Sequence, residues 1–382
     1  MSASRIYADY NARSPLRPEA HAAIERALGV MGNSSSVHAE GRKAKAALED
    51  ARDAVAAAVG AHVMDVTFAS GATEANNHAL FGLVRARPNA TVFLSGLEHE
   101  SIWIAAKATG ARIETIPACF GGSIDLDWLR ETLAHWDASA DGVPLVCLML
   151  VNNETGVVQP VTAAADLAHA AGGYLLCDAV QALGRIGIDI EMLGADYLTL
   201  SAHKVGGLSG AGALIVRGSS PIAPIIFGGG QERGRRAGTE NLVGALSFAA
   251  ACSAPWEEEK VRVRAIRDSF EATLLREAPQ THIVGANAER VFNTSCVIAP
   301  NIPAEMGVVA MDLAGVACSA GSACSSGKVQ ASRVLISMGM DDGAAKSALR
   351  FSFGWANETG DGEAAAQALA GLIKRAQAQQ AA

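Results

Sequence analysis

Tyr197-Leu198-Thr199-Leu200-Ser201-Ala202-His203-Lys204 is a short apolar run that ends abruptly in polar residues, and a glycine-rich loop, Val205 to Gly212, follows it. The run has the length and composition of a buried strand. A lysine leaving such a strand into a loop of small residues is poorly explained as a solvated surface charge. Desolvation would lower its pKa and suit it to imine formation with a carbonyl.

Working outward, similar strand-like runs occur at Val66 to Ala69, Thr91 to Ser95, Val146 to Val151, Tyr174 to Cys177 and Ala213 to Val216. Helical apolar spacing fills Glu74 to Arg85, Ser101 to Ala108 and Ala163 to Ala170. This alternation predicts an α/β fold with a mainly parallel sheet. From Trp256 the pattern changes to a long charged helix, then strands near His282 to Val284, Thr294 to Ile298 and Leu349 to Phe353. A boundary near Ser253 to Trp256 and a smaller α+β domain after it are expected. The Ala/Gln-rich end, AQAQQAA, is expected to fray beyond a helix over 362–376.

Ligands of open α/β sheets collect beyond the carboxyl ends of the strands. Three polar groups fall there. Asp178 follows the strand Tyr174 to Cys177, with Gln181 one turn later; it either caps a helix or holds a protonated ring nitrogen. Ser70-Gly71-Ala72-Thr73-Glu74 opens a helix and reads as an ordinary N-cap or as a phosphate cradle. Lys204 is the third. An acid, an imine-forming amine and a phosphate site are what pyridoxal 5′-phosphate requires.

Charge and cysteines narrow the class. The 382 residues carry 31 Lys+Arg against 39 Asp+Glu, a net charge of −8, with no basic run to track a phosphate backbone or an anionic bilayer. Apolar stretches such as Pro144 to Val151 are too short to cross a membrane. MSASRIYADYNARSP has no apolar signal core, so a cytoplasmic protein is expected. Seven cysteines without a CxxC pair form neither a disulfide framework nor a zinc finger. Six are expected to be packing residues. Cys324 lies apart, in Ser319-Ala320-Gly321-Ser322-Ala323-Cys324-Ser325-Ser326-Gly327.

The chain from Tyr7 to about Asn357 resembles the cysteine desulfurases of the NifS/IscS-like branch of the class V aminotransferases, which are fold type I pyridoxal phosphate enzymes. The resemblance is carried by GNSSSVHAEGRKA (32–44), SGATEANN (70–77), LEHES (97–101), VNNETGVVQP (151–160), DAVQALG (178–184), SAHK (201–204), GGGQERGRRAGTEN (228–241), SAGSACSSG (319–327) and LRFSFG (349–354). It implies a large cofactor-binding domain over 15–255 with a mainly parallel seven-stranded sheet. A smaller α+β domain, 1–14 with 256–382, would carry the cysteine loop at about 317–330.

Residue by residue, the resemblance implies that Lys204 links to the cofactor, Asp178 faces its ring nitrogen and His99 stacks on the ring. Asn153 and Gln181 would contact the ring oxygen, and Ala72, Thr73, Ser201 and His203 the phosphate. Thr239 would reach that phosphate from the second subunit of a homodimer. Arg350, in the alternating strand Ala348 to Phe353, would bind the carboxylate of L-cysteine, a role that guanidinium geometry suits; Asn153 would assist. Cys324 would take the substrate sulfur as a persulfide and pass it to an acceptor protein such as an iron–sulfur scaffold or a sulfur carrier. Cys318 is expected to pack at a strand end. Selenocysteine lyase or aminotransferase activity is the enzymatic alternative, and a catalytically silent partner-binding homologue is the other. Arg13, Leu208-Ser209 and Trp355 depart from the family pattern, and a tail shorter than that of IscS-type relatives is expected after the helix 362–376.

Overall fold

The computed structural model describes residues 5–321 and 331–381. Its central sheet has seven strands, in spatial order Val66–Ala69, Gly212–Val216, Tyr197–Ser201, Tyr174–Asp178, Pro144–Met149, Thr91–Ser95 and Arg112–Ile116. Six run parallel, and Gly212–Val216 runs antiparallel to both its neighbours. The sheet is therefore mainly parallel, as expected. Because neighbouring parallel strands share one direction, the ends of the strands carrying Asp178 and Ser201 fall side by side.

Alternate strand residues feed two cores. Leu145, Cys147, Leu176 and Leu214 pack with helices Ala72–Ala86 and Glu100–Thr109, while Val146, Leu148, Leu175 and Ile215 pack with Ala39–Ala57, Val161–Ala170 and Leu242–Cys252. Period two thus puts apolar side chains on both faces of a sheet covered by helices on each side. Arg112–Ile116, at the edge, was not among the strands read from the sequence. Its Arg112 and Glu114 pair on the exposed side, and only Ile116 is fully buried, so the stretch lacks the apolar continuity of the inner strands.

The second sheet is antiparallel, in the order Ser319–Ala320, Ala348–Ser352, Thr294–Ile298 and His282–Ile283. A separate core beneath it holds Phe270, Leu349, Phe351, Phe353 and Leu369. The rings of Phe270 and Phe351 lie 4.6 Å apart. Phe270→Ala is expected to cost about 3–5 kcal/mol, the range for emptying a core of one aromatic ring, read as a lowered urea midpoint.

Two residues fasten these parts. Arg17, 1% exposed, pairs its guanidinium with both carboxylate oxygens of Glu259 and lies 3.9 Å over the Trp256 ring. Gly184, at φ +74°, presses against the same indole; a Cβ there would come within 2.6 Å of it, so both backbone conformation and space demand glycine. The final helix, Asp361–Ala381, continues through the segment expected to fray. Alanine and glutamine are good helix formers, and neither glycine nor proline interrupts them. No helix is long and apolar enough to cross a membrane among the described residues.

Candidate active site

Beyond the carboxyl ends of the strands lies a cavity of about 500 Å³. Ala72, Thr73, His99, Asn153, Asp178, Gln181, Ser201, His203, Lys204 and Arg350 all line it. Of the residues singled out in the sequence, Thr239 is exposed and does not line this cavity, and Cys324 lies outside the described residues.

Lys204 ends a single helical turn, Ala202–Lys204, at the tip of its strand. It is half-buried, and its Nζ donates to the backbone carbonyls of Asn11 at 2.7 Å and Ala12 at 3.0 Å. Beside it, His203 Nδ1 and Ser201 Oγ share a hydrogen bond of 2.9 Å. Burial, with Lys204 and Arg13 nearby, lowers His203 to about 4, so it is neutral at pH 7.

Asp178 has both oxygens engaged. Oδ1 accepts from the Val180 amide at 3.1 Å, and Oδ2 accepts from Asn76 Nδ2 at 3.1 Å. Asn76 is fully buried; its Oδ1 accepts from Thr199 Oγ1 at 2.7 Å, which fixes the amide so that its N–H groups face Asp178 and Ser101 Oγ. Ser101 in turn meets His99: its amide donates to Nδ1 at 3.1 Å, and its Oγ lies 2.8 Å from the same nitrogen. Nδ1 thus acts as an acceptor, and neutral His99 carries its proton on Nε2.

The helix Ala72–Ala86 starts at Gly71, which supplies no side-chain cap, and a Cβ on Gly71 would meet nothing within 4 Å. First-turn amides without a cap are donors for an anion. Glu74 in that turn forms a salt bridge with Arg236. Burial would raise its carboxyl, but hydrogen bonds from Arg236 and Ser70 outweigh this and hold it below the ordinary range.

Arg350 lies on the face of its strand opposite Leu349 and Phe351. Its guanidinium pairs with Asp9 at 2.8 Å and donates to the Asn153 carbonyl at 3.1 Å, while its buried Nε has no hydrogen-bond partner among the described residues. Next to Asn153, buried Glu154 accepts from Ser332 Oγ at 2.5 Å, and burial raises its carboxyl to about 7. A carboxyl at about 7, against an ordinary 4.5, favours the fold below pH 4.5 and loses about 3 kcal/mol of that contribution as pH rises through 7. Glu154→Gln is therefore expected to gain stability relative to the parent between pH 5 and pH 8. Parallel denaturation midpoints at the two pH values would show it, and an unchanged gap would refute the assignment.

The remaining cysteines divide unevenly. Cys147, Cys177, Cys296 and Cys318 are buried and Cys252 is partly so, with burial pushing Cys318 and Cys296 up to about 12. Cys119 corrects the expectation that all six pack inside. It is exposed, in the tight turn between the Ala118–Ile124 bridge that follows the edge strand.

Asp9, Asn11, Asn76, Ser101, Glu154 and Arg185 were not identified as site residues from the sequence. Asn76, Ser101 and Glu154 sit inside the segments 70–77, 97–101 and 151–160 that carry the resemblance, which was the available signal.

The residues fit pyridoxal phosphate chemically: an amine on a turn, a carboxylate held ready for a ring nitrogen, and an uncapped helix start for a phosphate. Together with the seven-stranded, mainly parallel sheet they define a fold type I α/β protein. The sequence profile of the class V aminotransferases matches residues 6–364, and the chain belongs to that family. It is 38% identical over 355 residues to a cysteine desulfurase of Cereibacter sphaeroides, covering 91% of this chain and 90% of that protein. It is 33% identical to an IscS-like cysteine desulfurase of Mycobacterium tuberculosis, over 97% of this chain and 96% of the other. Among solved structures, a NifS-like protein from Rickettsia africae superposes with a TM-score of 0.88 at 32% identity, covering 97% of this chain and 99% of that one.

Proposed function

We propose that the chain is a pyridoxal phosphate-dependent L-cysteine desulfurase that releases L-alanine and carries the sulfur as a persulfide on Cys324. The observation that carries this reading is one cavity in which Lys204, Asp178, His99 and Arg350 converge. The cofactor, when bound, supplies an electron sink that makes the substrate's carbon–sulfur bond labile. Arg350, with the Asn153 backbone beside it, binds the substrate carboxylate, displacing part of its pairing with Asp9. Lys204 removes and returns the proton at the substrate α-carbon, and His99 moves protons from Nε2. Asp178, with its oxygens held by the Val180 amide and Asn76, would face the ring nitrogen. The Cys324 thiolate bonds to the substrate sulfur, the carbon–sulfur electron pair stays with the substrate carbon, and protonation there yields alanine.

The two-domain division at 15–255 and at 1–14 with 256–382, and the homodimer in which the partner subunit's Thr239 meets the phosphate, belong to the same proposal. So do the cytoplasmic setting, where thiols stay reduced, and an acceptor protein for the sulfur in iron–sulfur cluster assembly or another sulfur-transfer path. The test is production of alanine and sulfide in equal amounts from L-cysteine in the presence of a thiol reductant. Faster turnover of L-selenocysteine in competition would favour a selenocysteine lyase, and no turnover of either would reject the assignment. Sedimentation at micromolar concentration tests the dimer.

A further inference from the structure

Arg185 is buried, and among the described residues no carboxylate pairs with it. Its Nη1 donates to the backbone carbonyl of Gln181 at 2.7 Å and to Gln181 Oε1. The nearby charges are mostly of the same sign. Arg350 approaches from the second sheet, and Arg17 and Lys204 line the same small cavity of about 30 Å³. Among the described residues Glu259 is the one carboxylate lining that cavity, and both guanidinium nitrogens of Arg17 take it up. A charge held in this way is costly to bury, and its field reaches further than it would in water.

The guanidinium has donors only, so the atom of Gln181 that faces it must be the amide oxygen. Nε2 is then turned to the other side, where it donates to the Asn11 carbonyl at 2.9 Å, the same oxygen that accepts from Lys204 Nζ. Gln181 lines the cofactor cavity with its amide held in that sense. A donor suits an ionised ring oxygen, and an amide carbonyl would repel it.

We propose that Arg185 is a positioning residue that locks the Gln181 amide with its N–H toward the ring oxygen of pyridoxal phosphate and lends that oxygen a positive field. The inference rests on the cofactor reading above. A cation near the ring oxygen favours the more negative state of the bound cofactor, the one formed when its link to Lys204 loses a proton. Removing the cation therefore raises the pH at which the cofactor's visible absorbance titrates.

The experiment is a spectrophotometric pH titration of the cofactor-loaded protein, its Arg185→Met, Arg185→Lys and Arg185→Gln variants, paired with thermal denaturation of the cofactor-free forms. Arg185→Met is expected to raise the titration midpoint by about one to two pH units. Arg185→Lys, which keeps the charge, is expected to stay near the parent. Arg185→Gln also removes the charge but keeps an N–H donor for the Gln181 amide oxygen, so it should raise the midpoint even if Arg185→Met does not fold. Cofactor-free Arg185→Met is expected to melt at or above the parent temperature, because an unpaired buried charge has gone. An unshifted midpoint in both neutralising variants, or an equal shift in Arg185→Lys and Arg185→Met, would overturn the role of Arg185 while leaving the cofactor reading intact. Failure of the parent protein to take up the cofactor would instead overturn both.

Discussion

Lys204→Ala is expected to lose alanine formation by at least about 10³-fold, because one substitution removes both the covalent tether and the base that works at the substrate α-carbon. The parent protein should be yellow, and borohydride should fix the colour-bearing group to Lys204 so that the link survives denaturation. The variant should bind the cofactor only through its other contacts and release it on denaturation after the same treatment. Its fold should hold, since Lys204 is half-buried and the Asn11 carbonyl it leaves still accepts from Gln181 Nε2. A parent protein that remains colourless with added cofactor, or a variant that still forms alanine at the parent rate, would contradict the assignment.

Cys324→Ala is expected to abolish sulfide release from L-cysteine while leaving the visible absorbance of the bound cofactor in place. The separation follows from the division of labour: Lys204, Asp178 and the start of the helix Ala72–Ala86 hold the cofactor, and the thiol enters only at the sulfur. Cys119→Ala is the matched control. Cys119 is the exposed thiol among the described residues, so it is the one from which stray sulfur transfer would arise, and its removal should leave the rate unchanged. Mass spectrometry after a single turnover should find one added sulfur in the Cys119→Ala protein and none in Cys324→Ala. Sulfur loading in Cys324→Ala, or desulfuration at the parent rate, would move the acceptor role to another group.

Much of the site was legible because a parallel sheet concentrates its chemistry where strands end. Asp178 follows an apolar run directly and Lys204 comes one short turn after another, so they stand out against it, and Thr73 stands at the opening of a helix. The missed residues carry no such contrast. Asn11 reaches Lys204 across 193 positions, and Arg350 finds Asp9 across 341, distances at which no local pattern operates. Arg185 could be read only as a surface cation following Gly184, since nothing in a sequence says that the carboxylate sharing its small cavity is already spent on Arg17. Among the strands, Arg112–Ile116 escaped for the opposite reason: its charges are tolerated because it lies at the edge. Cys119 was misread because it was grouped with the thiols of the buried strands, whereas the turn it occupies is exposed.

The two carbonyls that receive the Lys204 ammonium belong to the main chain of Asn11 and Ala12. A catalogue of this enzyme built by replacing side chains one at a time would pass over them, since every substitution keeps the carbonyl. Position-by-position tolerance at these residues would then understate how much the lysine depends on them. Exchanging the amide for an ester that weakens one acceptor, or shifting the path of the backbone by inserting a single residue before Ala12, would expose that dependence. The same blindness extends to any design that treats the first dozen residues as a dispensable leader when trimming or fusing the protein.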